Sequence, residues 1–342
     1  MMMLAKRNAL CFFRDRASVF FSLMAVLIVL MLYLVFLRSL LIDSVLGGGM
    51  EFASEEQVSS LIDSWVLAGI LGIVSVTSSA GSLQCMVEDR ASGKDLDFKI
   101  TPMRPYQLAM SYVLSTFIVG LIMSAVTFVV ALAFLCATGC ILDAQPVAVC
   151  AALLVPSTLS GSIIVFALVS FLRSQGAFSG FFTVLSTMIG FLTGIYMPMG
   201  DMPEAMRVVG TLMPATQMAA LFRQNLCSGS MRDVFGPYDT SGFRTEMGMD
   251  LCIGGFEFTP EASMAYVAAV TAAFFAIAVV LMRRKRSWTC RRRRVSSRPR
   301  VSALAAELSH VPVPAALADP FPIGKRGFRI AIAFLFSGRP HA

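Results

Sequence analysis

The sequence predicts an all-α integral membrane protein in which six transmembrane helices follow an N-terminal interfacial helix. Of its 342 residues, 56% are hydrophobic and 14% are charged, and the mean hydropathy is +0.74. A soluble domain carries roughly 25% charged residues, and a single globular core of this length could not bury so much apolar sequence. Six apolar runs are also long enough to cross a hydrocarbon core, which takes roughly 20 helical residues. We therefore expect the chain to fold in a lipid bilayer.

The first element in chain order, residues 1–16, is predicted to be a cytoplasmic interfacial helix. Drawn as a helix, it places polar side chains on one arc, namely Arg7, Asn8, Arg14 and Asp15. The other arc is mostly apolar and consists of Ala5, Ala9, Leu10, Phe12 and Phe13. This pattern is typical of a helix that lies on a membrane surface. We expect that surface to be the inner one, directly before the first span.

The six-helix transmembrane domain is predicted to cover residues 17–286. Its spans are expected at residues 17–37, 65–87, 108–135, 146–172, 178–199 and 264–282. The first run is too long for the apolar core of a secretory signal, and no A-x-A-like cleavage site follows it. Residues 200–263 form the one sizeable polar stretch between spans, and we expect them to be external.

The distribution of charge predicts the orientation of the spans. Residues 38–64 carry one arginine against five acidic residues, and residues 200–263 carry four arginines against eight acidic residues. Basic residues instead collect before the first span, in residues 88–105 and after the sixth span. Because basic loops remain on the cytoplasmic side, both termini and residues 88–105 are predicted to be cytoplasmic.

Half of the basic residues lie in the final segment. Fourteen of the 28 Lys and Arg residues follow Met282. Such a cluster can contact nucleic acid or anionic lipid, but this one follows a membrane span and lacks the interleaved aromatic residues that single-stranded nucleic-acid binding uses. We therefore predict contact with membrane lipid and no nucleic-acid partner. Residues 287–342 are predicted to be a basic, disordered cytoplasmic tail.

Several catalytic and binding motifs are absent from the sequence, and their absence disfavours some classes of function. Both histidines, His310 and His341, lie in the tail, so no histidine-based metal site or catalytic triad is expected among the spans. No phosphate-binding G-x-x-x-x-G-K-[ST] loop occurs. The predicted spans at 65–87, 108–135 and 178–199 contain no ionisable residue, whereas ion-coupled carriers place one within a span. We expect no enzyme activity, cofactor or metal in this chain, and the energy for uphill transport to come from another protein.

Two features leave alternatives open. Ser186, Gly190 and Gly194 form a small-xxx-small stripe in the fifth predicted span, with a spacing that lets another helix approach closely. The stripe could pack inside one bundle, or it could form a subunit interface or line a pathway. Cys227 and Cys252 could pair if residues 200–263 face an oxidising side, which the sequence alone does not decide.

The order of short motifs resembles the membrane subunit of bacterial ABC-2-type exporters, over roughly residues 4–285. The first matching motif is FFRDR at 12–16, which runs into the first span. The second is EDRASG at 88–93 with TPMR at 101–104, which leads into the third span. The third follows the fifth span and consists of YMP at 196–198, MP at 213–214 and LFR at 221–223. Each motif is degenerate, so the resemblance rests on their order across six spans.

The resemblance implies an ABC-2-type permease architecture in a bacterial cytoplasmic membrane. In that family two permease subunits pair, and each rests on a separate cytoplasmic ABC ATPase that binds ATP. On this sequence, residues 88–105 would be the ATPase-coupling loop, which implies a coupling role for Glu88, Asp89, Arg90, Gly93, Pro102 and Arg104. The alternative is that these mixed charges belong to a solvated turn.

The sequence and the resemblance together predict the permease subunit of an ATP-driven exporter, paired with itself or with a similar subunit. Its apolar, uncharged spans favour an amphiphilic solute, whether a drug-like molecule, a peptide, a lipid or a glycan. The alternatives are a membrane scaffold or immunity protein that transports nothing, an intramembrane enzyme and an ion-coupled carrier. The absence of clustered His, Asp and Glu disfavours the enzyme, and the uncharged spans disfavour the carrier.

Overall fold

Long apolar helices make up most of the structure, a computed structural model that describes residues 2–47, 54–94, 105–140, 143–172 and 174–280. Within these ranges, six helices are long and apolar enough to cross a membrane. We number them spans 1 to 6: Arg16–Val45, Glu55–Ala91, Tyr106–Ala137, Ala144–Val169, Gln175–Leu192 and Pro260–Val280. The predicted all-α class with six membrane-spanning helices is confirmed. The predicted tail lies outside the described residues.

The secondary structure is almost entirely helical. In chain order the α-helices are α1 (Met2–Arg14), α2 (Arg16–Leu32), α3 (Arg38–Gly47), α4 (Glu55–Ser82), α5 (Gln84–Ala91), α6 (Pro105–Ala137), α7 (Ala144–Val169), α8 (Gln175–Leu192), α9 (Glu204–Thr211), α10 (Pro214–Leu226), α11 (Ser228–Phe235), α12 (Ser241–Glu246) and α13 (Pro260–Val280). A π-helical turn, Tyr33–Leu37, joins α2 to α3 within span 1, and α4 and α5 together form span 2. Strands β1 (Leu251–Ile253) and β2 (Phe256–Phe258) pair in antiparallel register.

Spans 1, 2 and 5 have limits that differ from the predicted ones. Span 1 continues to Val45, and span 2 begins at Glu55 rather than at residue 65. The early start has a local cause, because Ser54 and Gln57 form a capping box at the beginning of α4. Span 5 ends at Leu192 instead of residue 199, because Gly194 adopts a left-handed conformation with φ of +72° directly after the helix.

Span 2 is the central helix of the bundle. In its apolar stretch 78% of the residues are buried, compared with 12% in span 1 and 17% in span 6. Small side chains let its neighbours approach: a Cβ at Gly120 of span 3 would lie 2.7 Å from the Ser79 hydroxyl. Ser157 of span 4 donates a hydrogen bond of 2.8 Å to Ser75. The small and hydroxylic residues of span 2 therefore pack inside the bundle.

Residues 193–258, which we call the cap, cover one end of the bundle. Helix α10 enters the bundle beside spans 2 and 4, where a Cβ at Gly72 would lie 2.8 Å from the Cβ of Ala219. Cys227 is buried and Cys252 is partly buried, and both are free thiols, so the disulfide left open by the sequence is not formed. We refer to this end as the cap end and to the opposite end of span 2 as the Asp89 end.

Helix α1 packs against the bundle at the Asp89 end. Its residues Ala9 and Phe12 form an apolar cluster with Val119 and Met123 of span 3. Leu10, expected on the same apolar arc, is instead exposed. Asp15 ends α1 and begins span 1, because its carboxylate accepts hydrogen bonds from the backbone N–H groups of Ala17 and Ser18. The apolar arc is thus partly used for contact with protein.

Candidate functional site

The last turn of span 2 carries three consecutive charged residues, Glu88, Asp89 and Arg90, for which the family resemblance implies a place in an ATPase-coupling loop. The structure gives each of them a different environment. Asp89 is 3% exposed, whereas Glu88 and Arg90 are partly exposed. Because successive helical residues point about 100° apart, the three side chains reach different neighbours.

Asp89 joins span 2 to α1 through a bidentate ion pair with Arg7. Arg7 Nη1 lies 2.5 Å from Asp89 Oδ2, and Nη2 lies 2.9 Å from Oδ1. Hydrogen bonding to Asp89 raises the pKa of the Arg7 guanidinium above its ordinary value. A bidentate pair fixes both distance and angle between two side chains, so the N-terminal helix is held in one orientation against the end of span 2.

Arg90 joins the same turn to span 4. Its Nη1 atom donates hydrogen bonds to the carbonyl oxygens of Val169, Ser170 and Leu172 at 3.4, 3.2 and 3.2 Å. These carbonyls lie at the end of span 4 and directly after it, where the helix dipole favours a cation; the Val169 carbonyl also accepts a hydrogen bond from the Leu172 backbone N–H. Arg90 therefore caps span 4 from the end of span 2.

The remaining residues of the predicted loop are in varied positions. The Glu88 carboxylate is partly exposed and accepts a hydrogen bond of 2.9 Å from Gln84 Nε2. Gly93 follows with φ of +78°, which turns the chain away from the helix. Pro102 and Arg104 lie outside the described residues. Of the charged triplet, Asp89 and Arg90 brace the bundle, and Glu88 is the member that faces outward.

The small-residue stripe of span 5 contacts its own chain at Gly190 and Gly194. A Cβ at Gly190 would overlap the ring of Tyr196. Gly194 lies beyond the end of the helix, and its carbonyl oxygen accepts a hydrogen bond from Arg223. The Ser186 hydroxyl is shielded from solvent and has no hydrogen-bond partner among the described residues. A role for the stripe at a subunit interface or along a pathway stays a prediction.

Arg223 of α10 is a fully buried cation at the cap end. Its guanidinium carbon lies 4.5 Å from the centre of the Trp65 ring in span 2. Its Nη2 donates to the Gly194 carbonyl at 3.1 Å, and its Nη1 donates to the Gly248 carbonyl at 3.4 Å. Trp65 in turn donates from Nε1 to the Met247 carbonyl at 2.7 Å. This cluster attaches two loops of the cap to span 2.

A second polar cluster links spans 1 and 2 near the cap end. Asp63, whose side chain is 1% exposed, accepts hydrogen bonds of 2.6 Å from the Tyr33 hydroxyl and 3.0 Å from Arg38 Nε. Arg38 also donates to the Ser59 hydroxyl. Tyr33 begins the π-helical turn of span 1, a distortion often found where a helix carries functional side chains. The expectation of uncharged helices is therefore wrong at this position.

The sequence did not predict either cluster, and the reasons differ. The Arg38–Asp63 cluster falls between the predicted end of span 1 at residue 37 and the predicted start of span 2 at residue 65, which places both residues in a loop. A useful signal was present: Asp63 is flanked by Leu61, Ile62 and Trp65 in a helical, apolar setting. In the sequence, Arg223 belongs to the short motif LFR and has no further role. Its position directly after Leu221 and Phe222 was a second signal, because an arginine in an apolar segment is rarely buried unless another group pairs with it.

Comparison with known families agrees with this architecture. A family model described as ABC-2 family transporter protein matches residues 49–281, about two thirds of the chain. The match includes spans 2 to 6 and the cap, and it begins after α1 and span 1. A search among curated proteins finds no match. With six membrane-spanning helices and this match over most of its length, the chain belongs to the ABC-2 family of transporter proteins and is a multi-pass membrane component of an ABC transporter.

Proposed function

We propose that this chain is the permease subunit of an ATP-driven exporter, and that its ATPase is a separate cytoplasmic chain that docks at the Asp89 end. The observation that supports this assignment is the junction at the end of span 2. There the central helix is tied to α1 through Asp89 and to span 4 through Arg90, while Glu88 faces outward. A force applied at this turn would reach three helices at once, which suits a coupling site. ATP would be bound and hydrolysed on the partner.

Two permease subunits, identical or similar, would form the pathway for an amphiphilic solute such as a drug-like molecule, a peptide, a lipid or a glycan. The composition of the spans supports this choice. Ser75, Ser79 and Ser162 show uncharged hydroxyl groups among apolar side chains inside the bundle, and the hydroxyl oxygens of Ser79 and Ser162 lie 3.1 Å apart. A pathway lined by residues of the same kind would suit mixed polar and apolar solutes better than small ions, which require charged or carbonyl-lined sites.

The proposed location is the cytoplasmic membrane of a bacterium, with membrane lipid around the spans. The Asp89 end and both termini would face the cytoplasm, and the cap would be external. The charge distribution supports this orientation, since the cap carries more acidic than basic residues and the Asp89 end includes the basic residues of α1.

A charge reversal at Glu88 tests the docking proposal. Reversing Asp89 as well would break the ion pair with Arg7, so the single variant Glu88→Lys separates docking from folding. We expect Glu88→Lys to reduce co-purification of the cognate ABC ATPase by about threefold or more, because charges at an interface determine association. The matched control is Glu257→Lys, which reverses an exposed carboxylate on β2 in the cap and should leave co-purification unchanged.

The transport part of the proposal has its own measurement, ATP-dependent efflux from proteoliposomes that contain the permease and the ATPase. Efflux that persists without any ATPase contradicts the ATP-driven exporter. Normal docking and efflux in Glu88→Lys would remove the coupling role from this residue. A chain that binds the ATPase but moves none of a panel of amphiphiles would favour the scaffold or immunity function instead.

A further inference from the structure

A cavity of about 710 Å³ lies at the cap end, between spans 4 and 6 and helices α10 and α12 of the cap. This volume is within the range of small-molecule sites. Its apolar part is formed by Val149 and Leu153 of span 4, Leu221 of α10 and Met264 of span 6. Four apolar side chains from three helices provide a surface on which the aliphatic part of a ligand can lie.

Each donor side chain in the polar part of the cavity already makes at least one hydrogen bond within the protein. Arg244 of α12 forms a bidentate pair with Asp250, at 2.6 Å from Nε to Oδ2 and 2.9 Å from Nη2 to Oδ1, and this pairing raises the pKa of Arg244. Gln224 Nε2 donates to the Met249 carbonyl at 2.7 Å, and Asn225 Nδ2 donates to the Leu221 carbonyl at 2.8 Å. The amide oxygens of Gln224 and Asn225 accept no hydrogen bond from another described residue, so the polar side of the cavity offers these two oxygens as acceptors.

Glu261 adds a negative charge that the neighbouring residues do not balance. It lies in the first turn of α13, lines the cavity and is exposed. Within the described part of the chain its carboxylate makes no hydrogen bond or ion pair. Arg244 and Asp250 cancel one another, so Glu261 leaves the cavity with one net negative charge. A carboxylate and amide oxygens above an apolar surface are complementary to a cation that carries an aliphatic chain.

We propose that this cavity is a binding site for a cationic amphiphile, with its ammonium group beside Glu261 and its aliphatic chain against Val149, Leu153 and Met264. A role for the site in transport rests on the proposed exporter function; binding itself does not. If the exporter function holds, the site would receive amine-bearing amphiphiles at the cap end of the pathway.

Photo-crosslinking tests the site directly on the full chain in phosphatidylcholine nanodiscs. The probe is a dodecylammonium with a diazirine in its alkyl chain, and the matched neutral probe is the corresponding N-alkylacetamide. We expect the ammonium probe to label peptides that contain residues 149–153 and 260–264. Glu261→Gln should raise the probe concentration for half-maximal labelling by about two- to fivefold, because one exposed charge interaction is lost. Labelling by the neutral probe should not change.

Two control variants make the result decisive. Glu257→Gln removes an exposed carboxylate on β2 that does not line the cavity, and it should leave labelling by the ammonium probe unchanged. Val149→Trp places a large side chain in the cavity and should remove labelling by both probes. The proposal is overturned if both probes label the cavity equally, if Glu261→Gln weakens both to the same extent, or if labelling persists after Val149→Trp.

The same preparations separate this inference from the exporter function. Cavity labelling in a chain that shows no ATP-dependent efflux would overturn the exporter function and leave the binding site in place. Efflux of other solutes by a chain whose cavity is not labelled would overturn the binding site and leave the exporter function in place.

Discussion

The two ends of span 2 hold an arginine in opposite ways. At the Asp89 end, Arg7 keeps 42% of its side chain exposed and forms a bidentate pair with a buried carboxylate. At the cap end, Arg223 is fully buried, and within the described part of the chain its guanidinium donates hydrogen bonds to two backbone carbonyls and lies over the ring of Trp65. One arginine is held by an opposite charge and the other by oriented neutral groups.

This difference determines how each end responds to change. An ion pair open to water on one side is screened by solvent and salt, so the attachment of α1 depends on solution conditions. A buried cation without a carboxylate is costly unless its surroundings are rigid. At the cap end that rigidity comes from backbone carbonyls at Gly194 and Gly248, both in left-handed conformations. We therefore expect the cap end to be the less tolerant of substitution.

Arg223→Ala should have the largest effect on stability. It removes a fully buried side chain, leaves a cavity beside Trp65 and leaves the carbonyls of Gly194 and Gly248 without these donors. We expect a loss of about 3–5 kcal/mol in the free energy of unfolding, measured by thermal unfolding of the purified chain in detergent.

The matched control is Arg232→Ala on α11, which removes an exposed arginine from the same cap. It should change the stability by less than about 0.5 kcal/mol. The expectation is contradicted if both variants lose the same free energy of unfolding, or if Arg223→Ala loses less than about 1 kcal/mol. In either case the burial of Arg223 does not make the cap end less tolerant of substitution.

Gly190→Ala should have an intermediate effect at the cap end. The added methyl group would overlap Tyr196, which lies two residues after Gly194, so the loop that offers its carbonyl to Arg223 must shift. We expect a loss of about 1–3 kcal/mol, as for an overpacked core. Gly180→Ala on the same helix meets nothing within 4 Å and should be neutral or slightly stabilising.

A double-mutant cycle with Tyr196→Ala identifies the partner of Gly190. If the contact is with Tyr196, the two substitutions should be strongly non-additive, and the double variant should recover part of the loss. A Gly190→Ala variant that keeps its thermal stability but no longer forms dimers would instead assign the stripe to a subunit interface.

Much of the fold could be predicted from the sequence, because membrane spans need long apolar runs and those runs are visible without a structure. The number of spans and the central part of each one were predicted in this way. The helix ends were harder, since they depend on caps and tertiary contacts. Span 2 extends over Glu55 and Glu56 because Ser54 caps it, and span 5 stops early because Gly194 turns the chain.

The candidate site could be predicted only in part, for a different physical reason. A local motif drew attention to Glu88, Asp89 and Arg90, but their partners are distant in sequence: Asp89 bonds with Arg7, and Arg90 bonds with carbonyls after span 4. The resemblance to ABC-2-type exporters implied a coupling role for all three. Which of them are used within the bundle depends on how spans and α1 pack, and hydropathy contains no information on that packing.

The smallest effect, and the sharpest test of the comparison, is expected for Arg7→Ala. The substitution removes a partly exposed side chain, so little packing is lost, and Asp89 loses its bidentate partner. We expect a cost of about 1–2 kcal/mol in the free energy of unfolding, because removal of the partly exposed Arg7 lets water reach the Asp89 carboxylate. Arg14→Ala, at an exposed position on the same helix, should cost almost nothing. Because screening acts on charges that water can reach, raising the salt to about 1 M, where the Debye length is near 3 Å, should shrink the difference between Arg7→Ala and wild type. The loss of stability in Arg223→Ala should stay constant over the same salt range, since water does not reach that guanidinium. If the loss of stability in Arg7→Ala also does not change with salt, packing rather than an ion pair attaches α1 to the bundle, and the difference between the two ends of span 2 is not electrostatic.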